Sequence, residues 1–266
     1  MDIATYNVNS VKARLHAVTE WLDEKSPDIA CLQEIKTVDE DFPREAIEQR
    51  GYNIITHGQK SYNGVAILSK LPFEETRVGL PGDESDVQAR YLEAVVIGAK
   101  GPVRVASIYL PNGNPVMDES GEFHTKYTYK LAWLERLRAH TASLLSYEEP
   151  LILAGDYNVI PTDQDTHDPI AWAGDALFRP ETHAAFNALK WLGLTSAYEA
   201  KDGRPHEYTF WDYQAGAWPK NNGIRIDHLL CSAQAADRLQ SVRIDKYVRG
   251  KDKPSDHVPF VGTFDL

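Results

Sequence analysis

Cysteine is nearly missing from this chain: Cys31 and Cys231 are the only two in 266 residues. Both sit inside apolar, strand-like runs, which suits reduced core thiols and argues against a disulfide framework. Long apolar runs are missing as well, and none approaches the roughly 20 residues of a bilayer-crossing helix. No membrane contact is therefore expected. The first strand-like run begins at Asp2, which leaves no room for a basic and then apolar leader, so the expected location is the cytoplasm. No Gly/Ser-rich or Pro-rich linker interrupts the chain, and residues 1–266 are expected to form one domain. Excess positive charge is absent: 28 Lys and Arg against 39 Asp and Glu give a net charge of −11. That argues against a tight, non-specific nucleic-acid binder working through bulk positive potential. It leaves open an enzyme that gathers carboxylates at a metal and meets phosphates with local basic loops.

What the chain does have is enough apolar material for a core, 42% of residues with 10% aromatic, and a recurring design. Leu151-Ile-Leu-Ala runs straight into Gly155, Asp156 and Asn158, between Pro150 and Pro161, and reads as a buried central strand with a polar end. If the backbone stays extended, Asp156 and Asn158 share a face at the mouth of an α/β core; a simple turn is the alternative. Ile3 to Asn7 repeats the pattern, with Ser10 placed to cap a helix from Val11 to about Glu24. Asp28 to Glu34 repeats it again.

Further along, Tyr52–His57 with Gly64–Ser69, and Arg90–Ile97 with Pro102–Leu110, read as hairpins. A loop from Gly113 to His124 leads to a helix over about Lys126 to Tyr147, with Leu131, Leu134, Leu137, Leu144 and Leu145 on its apolar face. A long segment without clear period, Pro161 to Arg179, precedes a helix over about Glu181 to Leu192. Tyr208–Tyr213 and Ile224–Cys231 read as strands. A last hairpin joins Ser241–Val248 to Val258–Phe264. Some dozen strands with few long helices fit two mixed sheets covered by helices better than one open sheet.

Asn7, Glu34, Asp156, Asn158, Asp227, Asp256 and His257 each lie at or just beyond an apolar run. Hard oxygen ligands suit Mg²⁺ or Mn²⁺, whereas zinc calls for Cys or closely paired His, which the chain does not offer. His257, beside Asp256 and with Asp227 as an orienting carboxylate, is a candidate phosphate ligand or proton carrier.

Taken together, Thr-Tyr-Asn7-Val-Asn-Ser, Leu32-Gln-Glu34, Tyr109-Leu-Pro-Asn112, Gly155-Asp-Tyr-Asn158, Ile226-Asp227 and Ser255-Asp-His257 resemble the exonuclease III family of abasic-site endonucleases, bacterial type, within the endonuclease/exonuclease/phosphatase superfamily. The match spans nearly the whole chain in order. The resemblance implies a four-layered α/β sandwich, two mixed sheets face to face with helices outside. It also implies a Mg²⁺-dependent cut in double-stranded DNA at abasic or 3′-blocked sites, by a monomer. Carried over by residue, Glu34 is the main metal carboxylate with Asn7 beside it, and Asp256, Asp156, Asn158 and His257 complete the set around the ion. Asp156 activates water, Asn158 orients the water or the phosphate, and His257, held by Asp227, donates to the phosphoryl oxygen. Tyr109 and Asn112 line the same pocket.

Phe210, Trp211 and Ile226 match positions around the pocket for a flipped abasic sugar, although two strand aromatics are equally a core feature. Within a strand the two aromatics face opposite ways, and the resemblance points Phe210 into the pocket. Lys126 and Lys130 match basic positions near the DNA backbone, or else are solvated helix charges. Asn9 and Ile224 depart from some animal members, which carry Asp and Trp there. Superfamily phosphodiesterases for inositol phosphates or sphingomyelin are the enzymatic rivals, and a catalytically dead binding module is the rival of another class. The complete ligand set speaks against the last.

Overall fold

The protein is described here by a computed structural model covering all 266 residues. Its strands are β1 (Asp2–Asn7), β2 (Ile29–Gln33), β3 (Asn53–His57), β4 (Val65–Ser69), β5 (Phe73–Val78), β6 (Tyr91–Gly98), β7 (Gly101–Tyr109), β8 (Leu151–Asp156), β9 (Thr195–Ser196), β10 (Asp227–Cys231), β11 (Leu239–Ile244) and β12 (Phe260–Phe264). They divide into two six-stranded sheets, β11-β12-β1-β2-β4-β3 and β5-β6-β7-β8-β10-β9. Each sheet has one parallel pair at its centre, β1 with β2 and β7 with β8. A parallel pair needs a crossover, and α1 (Leu15–Lys25) provides the first while α3 (Thr125–Leu145) provides the second; α2 (Arg44–Glu48), α4 (Pro169–Trp172) and α5 (Pro180–Lys190) are among the other helices.

Period-two alternation explains the layering. On β2, Ile29 and Cys31 enter the core between the sheets, with Ile67, Leu92, Val105, Ile152 and Phe260. Ala30 and Leu32 point the other way, onto Trp21 and Leu22 of α1. On the second sheet Ala106, Ile108 and Leu153 likewise turn outward to meet Trp133, Leu134 and Leu137 of α3. Each fully buried Leu or Ile contributes about 1.5–3 kcal/mol. The result is helix, sheet, sheet, helix: the expected four-layered sandwich of two mixed sheets. Both cysteines are free and buried. No helix is long and apolar enough to cross a membrane.

Several element boundaries differ from the sequence reading, each for a backbone reason. The first helix begins at Leu15, because the N–H groups of Ser10 and Val11 bond to the carbonyls of Glu34 and Ile35 and so extend the β1–β2 pairing past the strand ends. Tyr208–Tyr213 is no strand: only Phe210 bridges, to Ile224 and His257. The strand expected to reach Val248 stops at Ile244, and a short 3₁₀ turn covers Lys246–Gly250. Leu131 and Leu145 of α3 are only half-buried, and the buried places go instead to Tyr127, Lys130, Trp133 and Thr141. The edge strand β5 lacks an apolar alternation, since five of its six residues are exposed; its pairing with β6 rests on backbone bonds.

Candidate active site

Register brings the proposed residues together. Asp156 at the end of β8 lies beside Tyr109 on β7 and beside Asp227 on β10. Gly155 permits that approach, because a Cβ there would stand 2.2 Å from the Ile108 carbonyl oxygen. Across the sandwich, Asn7 and Glu34 close the ends of β1 and β2. Asn7 Nδ2 donates to Glu34 Oε1 at 2.8 Å and to Asp156 Oδ2 at 2.8 Å, so one amide joins the two sheets at their mouth.

The backbone turns sharply here. Asn9, Ser10, Glu34, Lys36 and Asn158 all have positive φ, between 43° and 83°, a conformation that non-glycine residues seldom adopt and that gathers at functional sites. The extended continuation from Asp156 to Asn158 therefore fails: β8 ends at Asp156, and Asn158 enters the pocket through a left-handed turn. Its N–H bonds to Asp156 Oδ1 at 2.9 Å, its Nδ2 donates to the Leu110 carbonyl, and its Oδ1 accepts from Asn112 Nδ2 at 3.3 Å.

Charge at the mouth is concentrated and dry. His257 Nδ1 lies 2.9 Å from Asp227 Oδ2, and its Nε2 lies 3.7 Å from Asp156 Oδ2. Burial opposes the imidazolium, but Asp227 and Asp156 outweigh it and raise His257 to about 10. Burial also lifts the Asp156 carboxyl, with Asp227 adding to the shift and His257 opposing it. Glu34 behaves differently: burial would raise it, yet Lys36 and Asn7 hold it below the usual carboxylate range. Lys36 Nζ is 2.8 Å from Glu34 Oε2. Burial drives the Tyr109 phenol well up, reinforced by Glu34 and Asp156, so it stays protonated.

One ligand atom each from Glu34, Asp156 and His257 lies within 4.8 Å of the others. Two carboxylates and one imidazole, with the Asn7 amide at hand, fit a hard divalent cation. Asp256 stands outside that trio; its Oδ1 accepts from Asn9 Nδ2 at 3.1 Å.

The substrate-side residues divide. The Phe210 ring packs edge-on against His257 at 4.9 Å, and half-buried Phe210 joins a cluster with Ile224 and Ile226. Trp211 is fully buried on the opposite side, among Tyr208, Trp218 and the α1 layer, with Nε1 bonded to Asn221. A direct substrate contact for Trp211 is thereby corrected. Lys130 is corrected too: it is fully buried, and its Nζ bonds to the carbonyls of Asn112 and Asn158. Burial pulls its pKa down to about 7 against Asp175 and Asp156. Lys126 remains exposed and lines a polar cleft of about 520 Å³ beside Asn112, with Arg90, Gln59, Asn63, Gln88 and Asn114. Arg90 and Lys36 were not singled out from the sequence. Lys36, two residues past Glu34, was the findable one.

A mixed two-sheet sandwich whose inner strand ends converge on carboxylates, amides and a charged imidazole is a hydrolytic enzyme for phosphate esters. Residues 4–257 match the Endonuclease/Exonuclease/phosphatase family, and the chain belongs to it; the family is metal-dependent. Exodeoxyribonuclease III of Haemophilus influenzae is 32% identical over 99% of this chain and 100% of its own length. Among solved structures, an AP endonuclease from Archaeoglobus fulgidus superposes with a TM-score of 0.92 at 34% identity, covering all of both chains. A 3′-5′ exonuclease (NExo) from Neisseria meningitidis gives 0.93 at 35%, again over all of both.

Proposed function

We propose that the chain is a Mg²⁺- or Mn²⁺-dependent phosphodiesterase of duplex DNA that incises beside abasic sites and trims 3′ ends. The observation that carries this reading is the joined array Glu34–Asn7–Asp156–His257–Asp227, set between the apolar wall of Phe210 and Ile226 and the polar cleft of Arg90 and Lys126. A second Neisseria NExo structure, described as a 3′ phosphatase bound to product DNA hairpin, superposes with a TM-score of 0.94 at 34% identity over all of both chains. Such a substrate fits a cleft that offers Arg and Lys to phosphates despite an acidic chain.

In the reaction the water oxygen forms a new bond to phosphorus as the bond to the departing sugar oxygen breaks. Asp156 accepts the water's proton, and Asn158 and Asn112 orient water and phosphate. His257, kept charged by Asp227, donates from Nε2 to the equatorial oxygen where charge grows. Glu34, with Asn7 and Asp156 around it, would hold the divalent ion, whose Lewis acidity would assist the displacement, while the charged His257 stands beside it as a donor. Phe210 and Ile226 accept a bare sugar, and an abasic nucleotide is the cheapest to turn out of the helix.

The test is a labelled duplex with one abasic analogue beside an undamaged duplex with a recessed 3′ end, each with Mg²⁺ and with chelator. Incision of the abasic duplex that stops in chelator is expected. Full activity in chelator would remove the metal mechanism, and phosphate release from inositol phosphates with intact DNA would move the chain to a rival substrate class.

A further inference from the structure

Lys130 is a cation in the wrong place for a surface charge. It sits on the buried face of α3 between Tyr127 and Trp133, with no exposed area. No carboxylate lies within ion-pair distance of it among the protein's salt bridges. A buried lysine nitrogen is costly unless it is hydrogen-bonded, and both bonds that Nζ makes go to the loops of the site. Nζ donates to the Asn112 carbonyl at 3.0 Å and to the Asn158 carbonyl at 2.5 Å. Those carbonyls belong to different loops, one leaving β7 and the other leaving β8, and the side chains of the same two residues meet in the pocket at 3.3 Å.

The loop is shaped around this lysine. At Gly113, with φ +92°, a Cβ would stand 2.7 Å from Lys130 Cδ and 3.2 Å from Ala176 Cβ. A residue with a side chain would have to displace the stem of Lys130. The Asn158 backbone is itself left-handed, φ 47°, a conformation that persists only where neighbours fix it.

We propose that Lys130 is a positioning residue for the reaction: its side-chain nitrogen clamps the Asn112 and Asn158 carbonyls and so fixes the two amides that orient phosphate and water. The inference rests on the phosphodiesterase reading of the site. An amide displaced by about 1 Å costs roughly 100-fold in rate, whereas Arg90 and Lys126, the cations of the outer cleft, make no contact with Lys130 Nζ and keep their hold on phosphates. Lys130 touches no substrate atom.

The test compares Lys130→Met, Lys130→Gln and Lys130→Arg with the natural chain, by two readouts. In the DNA-free protein, the side-chain amide ¹⁵N–¹H signals of Asn112 and Asn158 are followed by NMR; with Mg²⁺, kcat and KM are measured on the abasic duplex. Lys130→Met is expected to shift or broaden both amide pairs and to lower kcat about 100-fold with KM changed less than about three-fold. Lys130→Arg, which keeps donors on a long stem, should recover most of both. If Lys130→Met does not fold, Lys130→Gln replaces it and should give a smaller shift of the same amides. Unchanged amide signals, or a kcat that follows only the folded fraction, would overturn the clamp. Altered amides in a protein that cuts no DNA would uphold the clamp while sinking the DNA reading.

Discussion

Two buried charged clusters lie along the second sheet, joined only through β7, and are built in opposite ways. On the outer face of the second sheet, under α3, Glu93 has both oxygens engaged: Oε1 takes Arg104 at 2.7 Å, and Oε2 takes Tyr91 at 2.6 Å and His140 at 2.8 Å. Arg104 also reaches Glu149 and Glu75. At the mouth, five residues along β7 from Arg104 and so roughly 17 Å away, Asp227 Oδ1 is buried and faces no donor, His257 lies between Asp227 and Asp156, and five nearby residues have positive φ. A saturated network holds a fold together. An unsaturated one keeps capacity in reserve for a ligand, at a cost in stability that the rest of the sandwich offsets.

The largest expected effect breaks the mouth without touching the fold. Asp156→Asn keeps the size and loses the proton acceptor, so cutting should slow by about 10³- to 10⁴-fold, while binding of the abasic duplex persists and the melting temperature stays the same or rises. Loss of binding in step with cutting, measured by gel shift beside the rate assay, would make Asp156 a structural residue instead.

The mirror experiment strikes the other cluster. Arg104→Met removes the cation that Glu93 and Glu149 share and should cost about 3–5 kcal/mol of stability, with kcat on the abasic duplex unchanged in the fraction that stays folded. Chemical denaturation and a rate assay on the same preparations check both halves. A fall in kcat with stability intact would join the two clusters into one functional unit.

Acid sharpens the contrast. Burial would raise Glu93, but His140, Tyr91 and Arg104 outweigh it and hold its pKa at about 2, against 4.5 when unperturbed. A depressed carboxylate contributes stability that is complete above its unfolded pKa and lost as pH falls through 4.5 toward 2, here about 3 kcal/mol. Unfolding curves for the natural chain and Glu93→Gln should therefore differ near neutrality and converge at low pH. Curves offset equally at every pH would contradict that account.

The sequence carried the mouth more fully than the rim. Asn7, Glu34, Asp156, Asp227 and His257 each lie at or just beyond an apolar run, and that recurring placement of hard ligands made a shared site legible before any strand order was known. Lys130 was misread because helical spacing distinguishes faces only by composition: an ammonium on the apolar stripe looks like a surface charge until its two carbonyl partners appear. Asn158 reaches the site by the turn that stood as the alternative to an extended strand, and the choice between the two was open because a left-handed turn leaves little local signature when the residue is not glycine. Strand β5 was missed for the opposite reason, since its exposed edge carries no apolar alternation and only pairing with β6 defines it.

The smallest effect concerns selectivity, where Phe210 and Trp211 are chain neighbours with opposite surroundings. Phe210 packs on His257 at 4.9 Å and is half-buried, whereas Trp211 is wholly enclosed on the α1 side. Phe210→Ala would open the wall it forms with Ile226 without moving Asp156 or Glu34. One lost apolar wall is worth about 1–3 kcal/mol of discrimination, so the preference for an abasic over an ordinary nucleotide should fall by roughly ten-fold or more, while cutting of the abasic duplex continues. Trp211→Ala is the control on the other face, expected to lower the melting temperature and leave that preference alone. If Phe210→Ala proved the unstable variant and Trp211→Ala the promiscuous one, selectivity would be set through the shape of the core rather than by the pocket wall, and the division between the two aromatics would fall.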